Sequence, residues 1–134
     1  MLKNFVTSYL AVLLPLLAID AIWLFLVAKS FYAKYIGYLL ADSPKYAMAG
    51  AFYLVYALGI WVFVVHPALT GNWVLWKVAL LGAFFGFVAY GAYDFTNHAT
   101  IRAWPTVMTI VDLGWGTFLT GLVSVIAVTL SGWL

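Results

Sequence analysis

Residues 5–28 read FVTSYLAVLLPLLAIDAIWLFLVA, an apolar run that carries a single acid, Asp20. About 20 apolar residues cross a hydrocarbon core of about 30 Å, so this run by itself predicts a transmembrane helix. A carboxylate deep in a spanning helix costs roughly 2.5 to 3.5 kcal/mol to insert. Neighbouring helices therefore have to offset that cost by offering Asp20 polar partners.

The rest of the chain has the same apolar character. Of its 134 residues, 67% are hydrophobic and 7% are charged, which is more apolar surface than a soluble domain of this length can bury. Three further segments are long enough to span a bilayer, at residues 46–65, 75–97 and 105–130. We predict an all-α integral membrane protein, a four-transmembrane-helix bundle that forms one domain over residues 1–134. The first run is expected to stay as a helix, because it is longer than the apolar part of a signal peptide.

Composition argues against several function classes. The chain has no Cys, and therefore no thiolate nucleophile and no cysteine metal site. Two histidines, His66 and His98, are a poor supply for a haem or a histidine metal centre. A formal net charge of +2 is too small for nucleic acid binding. We expect no metal, no cofactor and no nucleic acid partner.

Residues 29–41, after the first span, combine aromatic side chains with lysines. On a helix these aromatic residues share one face, which suits the headgroup layer, so a short interfacial helix and an ordinary loop are alternatives here. The positive-inside rule favours a cytoplasmic location for the first and third connections, with both termini outside. The basic residues in this argument are Lys29, Lys34, Lys45 and Arg102 against Lys3 and Lys77. Interface aromatics are expected at Trp73, Trp76 and Trp133 on one side and at Tyr32, Tyr35, Tyr46 and Trp104 on the other.

Two more acids, Asp94 and Asp112, lie in the third and fourth segments. With a rise of about 1.5 Å per residue, both fall with Asp20 in the half of the membrane nearest Arg102. Three tyrosines fall at the same depth: Tyr53, Tyr56 and Tyr90. Four helices are therefore expected to contribute polar groups to one layer.

Helical spacing points these acids toward other helices. On the third segment Asp94 shares a stripe with Gly82 and Gly86, and a Gly-x-x-x-Gly pair lets helix backbones approach closely in lipid. The stripe also includes Tyr90 and Asn97, and a similar stripe on the fourth segment has Asp112, Gly116 and Thr120. Trp23 and Trp115 each follow an acid by three residues and offer one N–H donor beside it.

Four strings hold most of these polar and aromatic residues: Asp20-Ala-Ile-Trp23, Phe52-Tyr53-Leu-Val-Tyr56, Tyr90-Gly-Ala-Tyr93-Asp94-Phe-Thr96-Asn97 and Asp112-Leu-Gly-Trp115-Gly116-Thr117. Together they resemble a bacterial family of small membrane proteins, domain of unknown function 2177. The resemblance covers nearly the whole chain and carries no established reaction. It implies the bacterial cytoplasmic (inner) membrane as location, leaves His66 and His98 out of the site, and favours lipid handling.

We expect the partner to be a membrane lipid or isoprenoid and the reaction to be acid–base chemistry. Asp20 and Asp112 are the candidate catalytic pair, because two buried acids can hold one proton between them and so act as acid and base. The candidate substrate-binding residues are Asp94, Asn97, Tyr53, Tyr56, Tyr90, Trp23, Trp115 and Arg102.

Two other functions fit the same residues. A small homodimeric proton-coupled transporter would use Asp20 as its coupling site. A non-catalytic scaffold or complex subunit would use the acids for hydrogen bonds between helices, and Gly116, Thr117 and Gly121 for contact with a partner. An opening between helices beside the acids would favour a lipid substrate, whereas an aqueous funnel would favour transport.

Overall fold

The computed structural model describes residues 2–133, with side chains for residues 4–132. Within this part the chain forms four helical segments that are long and apolar enough to cross a membrane. These are the first span, Asn4–Leu39, the second, Tyr46–Gly71, the third, Leu75–Thr100, and the fourth, Thr106–Gly132. The predicted all-α, four-span architecture is confirmed. The predictions for Lys3 and Trp133 concern side chains that lie outside the described residues.

The first two spans are not uniform α-helices. In chain order the first consists of α-helix Leu2–Trp23, a π-helical turn Leu24–Ala28, α-helix Lys29–Ile36 and a 3₁₀ turn Gly37–Leu39. The second consists of Tyr46–Ile60, a π-helical turn Trp61–Val65 and His66–Gly71, whereas the third and fourth are single α-helices, Leu75–Thr100 and Thr106–Trp133. The helix expected within residues 29–41 therefore exists, but it continues the first span without a break. A π-helical turn holds one more residue than an α-helical turn and rotates everything that follows it.

The third and fourth spans have the closest backbone approach in the bundle. Gly86 lies so near the Gly116 carbonyl oxygen that a side chain at Gly86 would overlap it, and a side chain at Gly82 would overlap that of Ser124. Both glycines are buried, so the predicted Gly-x-x-x-Gly contact is confirmed. The first span packs against the fourth, and the second packs mainly against the first.

The connections on the two sides differ in backbone geometry. Asn72 ends the second span in the left-handed conformation with φ 53°. Ala103, between the third and fourth spans, is also left-handed with φ 62°. Alanine rarely adopts this conformation, which costs roughly 1–2 kcal/mol for a residue with a Cβ. The Tyr38 hydroxyl donates a hydrogen bond to the Ala103 carbonyl oxygen (3.2 Å).

Candidate functional site

The three aspartates of the spans are all buried and lie in one layer of the bundle. Their side chains are 6% exposed for Asp20, 0% for Asp94 and 5% for Asp112. Hydrogen bonds or contacts link them to tyrosines or acids on other spans. Separate helices thus contribute the acids to one layer, and the three carboxyls have very different surroundings.

Asp20 is the acid with the most complete set of partners. Its carboxylate accepts a hydrogen bond from the Tyr53 hydroxyl of the second span and another from Trp115 Nε1 of the fourth span (2.9 Å). Trp23 stacks on Trp115, with ring centroids 4.4 Å apart and planes within 7° of parallel. Asp20 thus joins three spans, and the stacked indoles cover it on one side. The predicted indole donor beside a carboxylate is present at Trp115, whereas Trp23 Nε1 is buried without a hydrogen-bond acceptor.

Asp112 accepts a hydrogen bond from the Tyr32 hydroxyl (2.5 Å). Tyr32 follows Asp20 by twelve residues, which is about 120° around an unbroken α-helix at about 100° per residue. The π-helical turn Leu24–Ala28 absorbs one residue without advancing the rotation, so the offset falls to about 20°. Asp20 and Tyr32 therefore face the same side of the first span. Tyr32 was predicted as an interface aromatic, and the structure instead places its hydroxyl in the site.

Asp94 is fully buried and receives no hydrogen bond at either carboxyl oxygen. Its carboxyl lies against that of Asp112 on the fourth span. Arg102, a candidate substrate-binding residue from the sequence, is exposed and makes no ion pair with the side chains of residues 4–132. A buried carboxyl whose neighbour is another carboxyl is an expensive arrangement that packing alone does not require.

A cavity of about 260 Å³ lies beside Asp112 and reaches all four spans. It is lined by Tyr32, Phe52, Ala89, Tyr90, Tyr93 and Asp112. Phe52 is 48% exposed and Tyr93 is 53% exposed, so the cavity opens between the second and third spans. The Tyr90 hydroxyl lies within electrostatic range of both Asp20 and Asp112 but makes no hydrogen bond to a described residue. Asp112 and Tyr90 are therefore the polar groups best placed to meet a ligand that enters.

The other predicted residues lie around this centre. The Tyr56 and Thr120 hydroxyls share a hydrogen bond (2.6 Å) within the bundle, next to the Tyr90 ring. Asn97 is half-buried and forms no side-chain hydrogen bond with residues 4–132. His98 hydrogen-bonds to Thr109 (3.2 Å) and so ties the end of the third span to the fourth. In the described part of the chain no three His, Asp or Glu side chains are grouped to hold a metal ion.

The acids and aromatics of the layer come from the strings on which the sequence resemblance rested, and residues 5–129 match the family described as Predicted membrane protein (DUF2177). The chain belongs to this family. No curated protein and no solved structure matched the chain in the same comparisons. The family description gives a membrane location and no activity, so the chemistry has to be argued from the site itself.

Sequence reasoning did not assign three of the residues that line the cavity to the site: Tyr32, Phe52 and Tyr93. Phe52 and Tyr93 lie inside the strings that carry the family resemblance, so the resemblance was the available signal for these two. Their orientation toward the cavity depends on helix rotation, which a sequence pattern does not carry. In chemical terms the site combines two acids in contact, a separate hydrogen-bonded acid, and hydroxyls facing a cavity open to the side.

Proposed function

We propose that this membrane protein binds a lipid or isoprenoid in the cavity beside Asp112 and acts on it by acid–base chemistry. One observation carries the proposal: a cavity open between the second and third spans contains the carboxyl of Asp112, which is itself in contact with Asp94. A cleft with mostly apolar walls and a few convergent polar groups is the usual form of a ligand site. A lateral opening suits a ligand that is already dissolved in the bilayer.

The contact between Asp94 and Asp112 supports the acid–base part of the proposal. Two charged carboxylates in contact repel each other strongly where water is excluded, so such a pair is stable when it holds one proton. One carboxyl is then an acid and the other a base at the same place. Asp20, the partner of Asp112 predicted from the sequence, is the third group in this layer and stays a candidate through the Tyr90 hydroxyl that lies in range of both.

Movement of a double bond is a reaction that these groups can perform. Asp112, when it holds the proton of the pair, adds it to one carbon of the double bond, and the carboxylate so formed removes a proton from the saturated carbon bonded to the other carbon of that double bond. The double bond shifts by one position, both carboxyls end with the same total number of protons, and no electrons are gained or lost. The Tyr90 hydroxyl, which makes no hydrogen bond to a described residue, is placed to orient a ligand oxygen beside this step.

Native mass spectrometry of the purified protein with co-extracted lipids tests the binding part. We expect a lipid retained at one copy per chain in the natural protein and largely lost in Asp112→Asn. Asp42→Asn is the matched control, because it makes the same chemical change at an exposed residue outside the spans. Equal retention in Asp112→Asn, Asp20→Asn and Asp42→Asn would contradict the proposal.

Transport is the second candidate, and Asp94 is the observation that favours it. A buried acid with no cationic partner is typical of proton carriers in membranes. The protein would then act as a homodimer in the bacterial inner membrane, with both termini outside, as the basic residues favour. Proton flux into vesicles that depends on Asp94 or Asp20, without any retained lipid, would support this candidate. A scaffold role would leave both assays unchanged by all the substitutions.

A further inference from the structure

We propose that the cavity selects ligands that carry an ammonium group, held between aromatic rings and the carboxylate of Asp112. The ammonium belongs either to a lipid headgroup or to a lipophilic amine. This inference rests on the proposed ligand cavity, but it does not depend on the acid–base step. It names the chemical class of the ligand, which the family description leaves open.

The aromatic lining is the first argument. Four of the six residues around the cavity are aromatic: Tyr32, Phe52, Tyr90 and Tyr93. Among the described residues no two of these four rings contact one another; Phe52 stacks instead on Tyr56, and Tyr93 packs edge-on against Trp104. The lining of the cavity is therefore mostly aromatic. Aromatic rings attract organic cations through the electron-rich face of each ring.

The charge of the site is the second argument. Three acids lie in this layer, while the nearby cationic side chains of Lys29, Lys34 and Arg102 are exposed outside it. Lys34 lies over the Tyr35 ring, with its Nζ 5.1 Å from the ring centroid, and makes no ion pair among the described residues. An anionic headgroup entering the cavity would meet carboxyls without a cation to balance it. A cationic group would instead supply the opposite charge that Asp112 lacks.

Asp94 supplies an independent observation. It is 0% exposed, both its oxygens lack a hydrogen-bond donor, and it lies directly against the acid that lines the cavity. The cationic side chains nearest this layer are exposed outside it, so the negative charge of the pair is left for an entering cation to balance.

The size of the cavity fits a headgroup and not a whole lipid. Its volume of about 260 Å³ lies just below the range of roughly 300–1,000 Å³ that accommodates drug-sized ligands. A trimethylammonium group with a few attached carbons would fill it. The apolar remainder of the ligand would leave between the second and third spans, past the half-exposed Phe52 and Tyr93.

Isothermal titration in dodecyl maltoside micelles, whose headgroup carries no ammonium, tests the inference. The three probes have the same chain length: dodecyltrimethylammonium, its uncharged carbon isostere and dodecyl sulfate. We expect the cation to bind about tenfold or more tightly than the isostere, and dodecyl sulfate to bind least. Equal affinity for the cation and the isostere would overturn the ammonium inference and leave lipid binding intact. If none of the three probes bound while a co-purified lipid was still retained, the ammonium inference would be overturned as well.

Variants at two residues assign the effect to the cavity. Asp112→Asn should abolish the preference for the cation, whereas Asp42→Asn should keep it. Tyr93→Phe retains a ring face and should bind as the natural protein does, while Tyr93→Leu should lose several-fold in affinity for the cation alone. The two Tyr93 substitutions are at a half-exposed side chain, so we expect both variants to fold. The proposal would be refuted if the preference for the cation survived in Asp112→Asn. It would also be refuted if Tyr93→Phe and Tyr93→Leu changed that preference equally.

Two further probes distinguish the sources of the ammonium group. Lysophosphatidylcholine carries it next to a phosphate, and lysophosphatidylglycerol carries the phosphate alone. Displacement of dodecyltrimethylammonium by the first but not the second indicates a lipid headgroup ligand. Displacement by neither indicates a lipophilic amine, because the phosphate is then rejected. Displacement by lysophosphatidylglycerol as effectively as by lysophosphatidylcholine would contradict the inference.

Discussion

Buried polar groups differ between two neighbouring regions of the bundle. They have hydrogen-bond partners in the interface between the third and fourth spans, whereas the adjacent layer of acids includes one that has none among the described residues. In the interface the Ser124 hydroxyl donates to the Thr120 carbonyl oxygen (2.7 Å), and the Thr120 hydroxyl hydrogen-bonds to Tyr56. Glycines bring the two backbones together there. In the acid layer, Asp94 receives no hydrogen bond from the described residues, and a cavity lies beside its neighbour Asp112.

This contrast shows where the molecule gains stability and where it gives stability up. Close packing with hydrogen bonds completed is what holds helices together in lipid, where no hydrophobic driving force acts between them. An unpaired buried carboxyl opposes folding, and such exceptions concentrate at functional sites. The two regions share the third and fourth spans, so the tight interface provides the rigid support on which the strained layer is held.

Filling the tight interface should have the largest effect. A Cβ at Gly86 would overlap the Gly116 carbonyl oxygen and the Thr120 side chain, and backbone atoms cannot move aside cheaply. We expect Gly86→Ala to lower the free energy of unfolding by about 3 kcal/mol or more, measured by denaturant titration in micelles. Gly114→Ala is the matched control, because a Cβ there meets nothing within 4 Å. A neutral Gly86→Ala would show that the interface is looser than described.

Rotating Tyr32 away from Asp112 should remove the contribution of its hydroxyl to the acid layer. In the natural chain Tyr32→Phe should lower the free energy of unfolding by about 1.5–3 kcal/mol, since the hydroxyl donates to a carboxylate. One alanine inserted after Leu26, which is 75% exposed, turns Tyr32 by about 100°, so in that chain the same substitution should cost close to nothing. Deleting Leu26 is the control, because it removes the one residue that the π-helical turn absorbs, keeps the offset from Asp20 near about 20° and should keep the full cost. Denaturant titration of these chains with and without Tyr32→Phe measures the difference.

The same π-helical turn marks the limit of what the sequence predicts. The four spans follow from composition and length, because about 20 apolar residues have few other uses. The stripe through Gly82, Gly86 and Asp94 follows from α-helical spacing within one regular helix, and the structure confirms its buried face. Tyr32 does not follow, because a π-helical turn changes the rotation without leaving a composition signal.

The grouping of the acids was predictable only in part. Depth along each helix placed Asp20, Asp94 and Asp112 in one layer, since the rise per residue is fixed. Which two carboxyls touch depends on the rotation and crossing of neighbouring helices, which are set by packing. The sequence therefore suggested Asp20 with Asp112, whereas the carboxyl in direct contact with Asp112 is that of Asp94. The cavity also depends on the rotation and crossing of several spans, so it could not be predicted from one span at a time.

Two conservative substitutions of these acids should change stability in opposite directions. Asp20 accepts hydrogen bonds from Tyr53 and Trp115 at its two different carboxyl oxygens, and Asn replaces one of these oxygens with an NH₂ group that cannot accept. Asp20→Asn should therefore lower the free energy of unfolding by about 1–2 kcal/mol. Asp94→Asn replaces an unpaired carboxyl with an amide that can donate to Asp112, so it should raise the free energy of unfolding by about 1 kcal/mol. Denaturant titration of both variants beside Asp42→Asn measures the two signs, and equal losses at Asp20 and Asp94 would remove the contrast within the layer.

The smallest effect is expected at the two left-handed residues in the connections. Ala103 lies on the side of the acid layer and carries a Cβ in a conformation that costs roughly 1–2 kcal/mol, whereas Asn tolerates that conformation at Asn72 on the opposite side. Glycine relieves the strain but makes the unfolded chain more flexible, so Ala103→Gly should gain less than about 1 kcal/mol, while Asn72→Gly should stay near zero. Thermal unfolding of both variants in one detergent measures the difference. Tyr38→Phe removes the hydrogen bond to the Ala103 carbonyl oxygen. If that hydrogen bond imposes the strain, adding Ala103→Gly to Tyr38→Phe should give no further gain in stability. If the backbone turn imposes the strain by itself, the same addition should give the full gain.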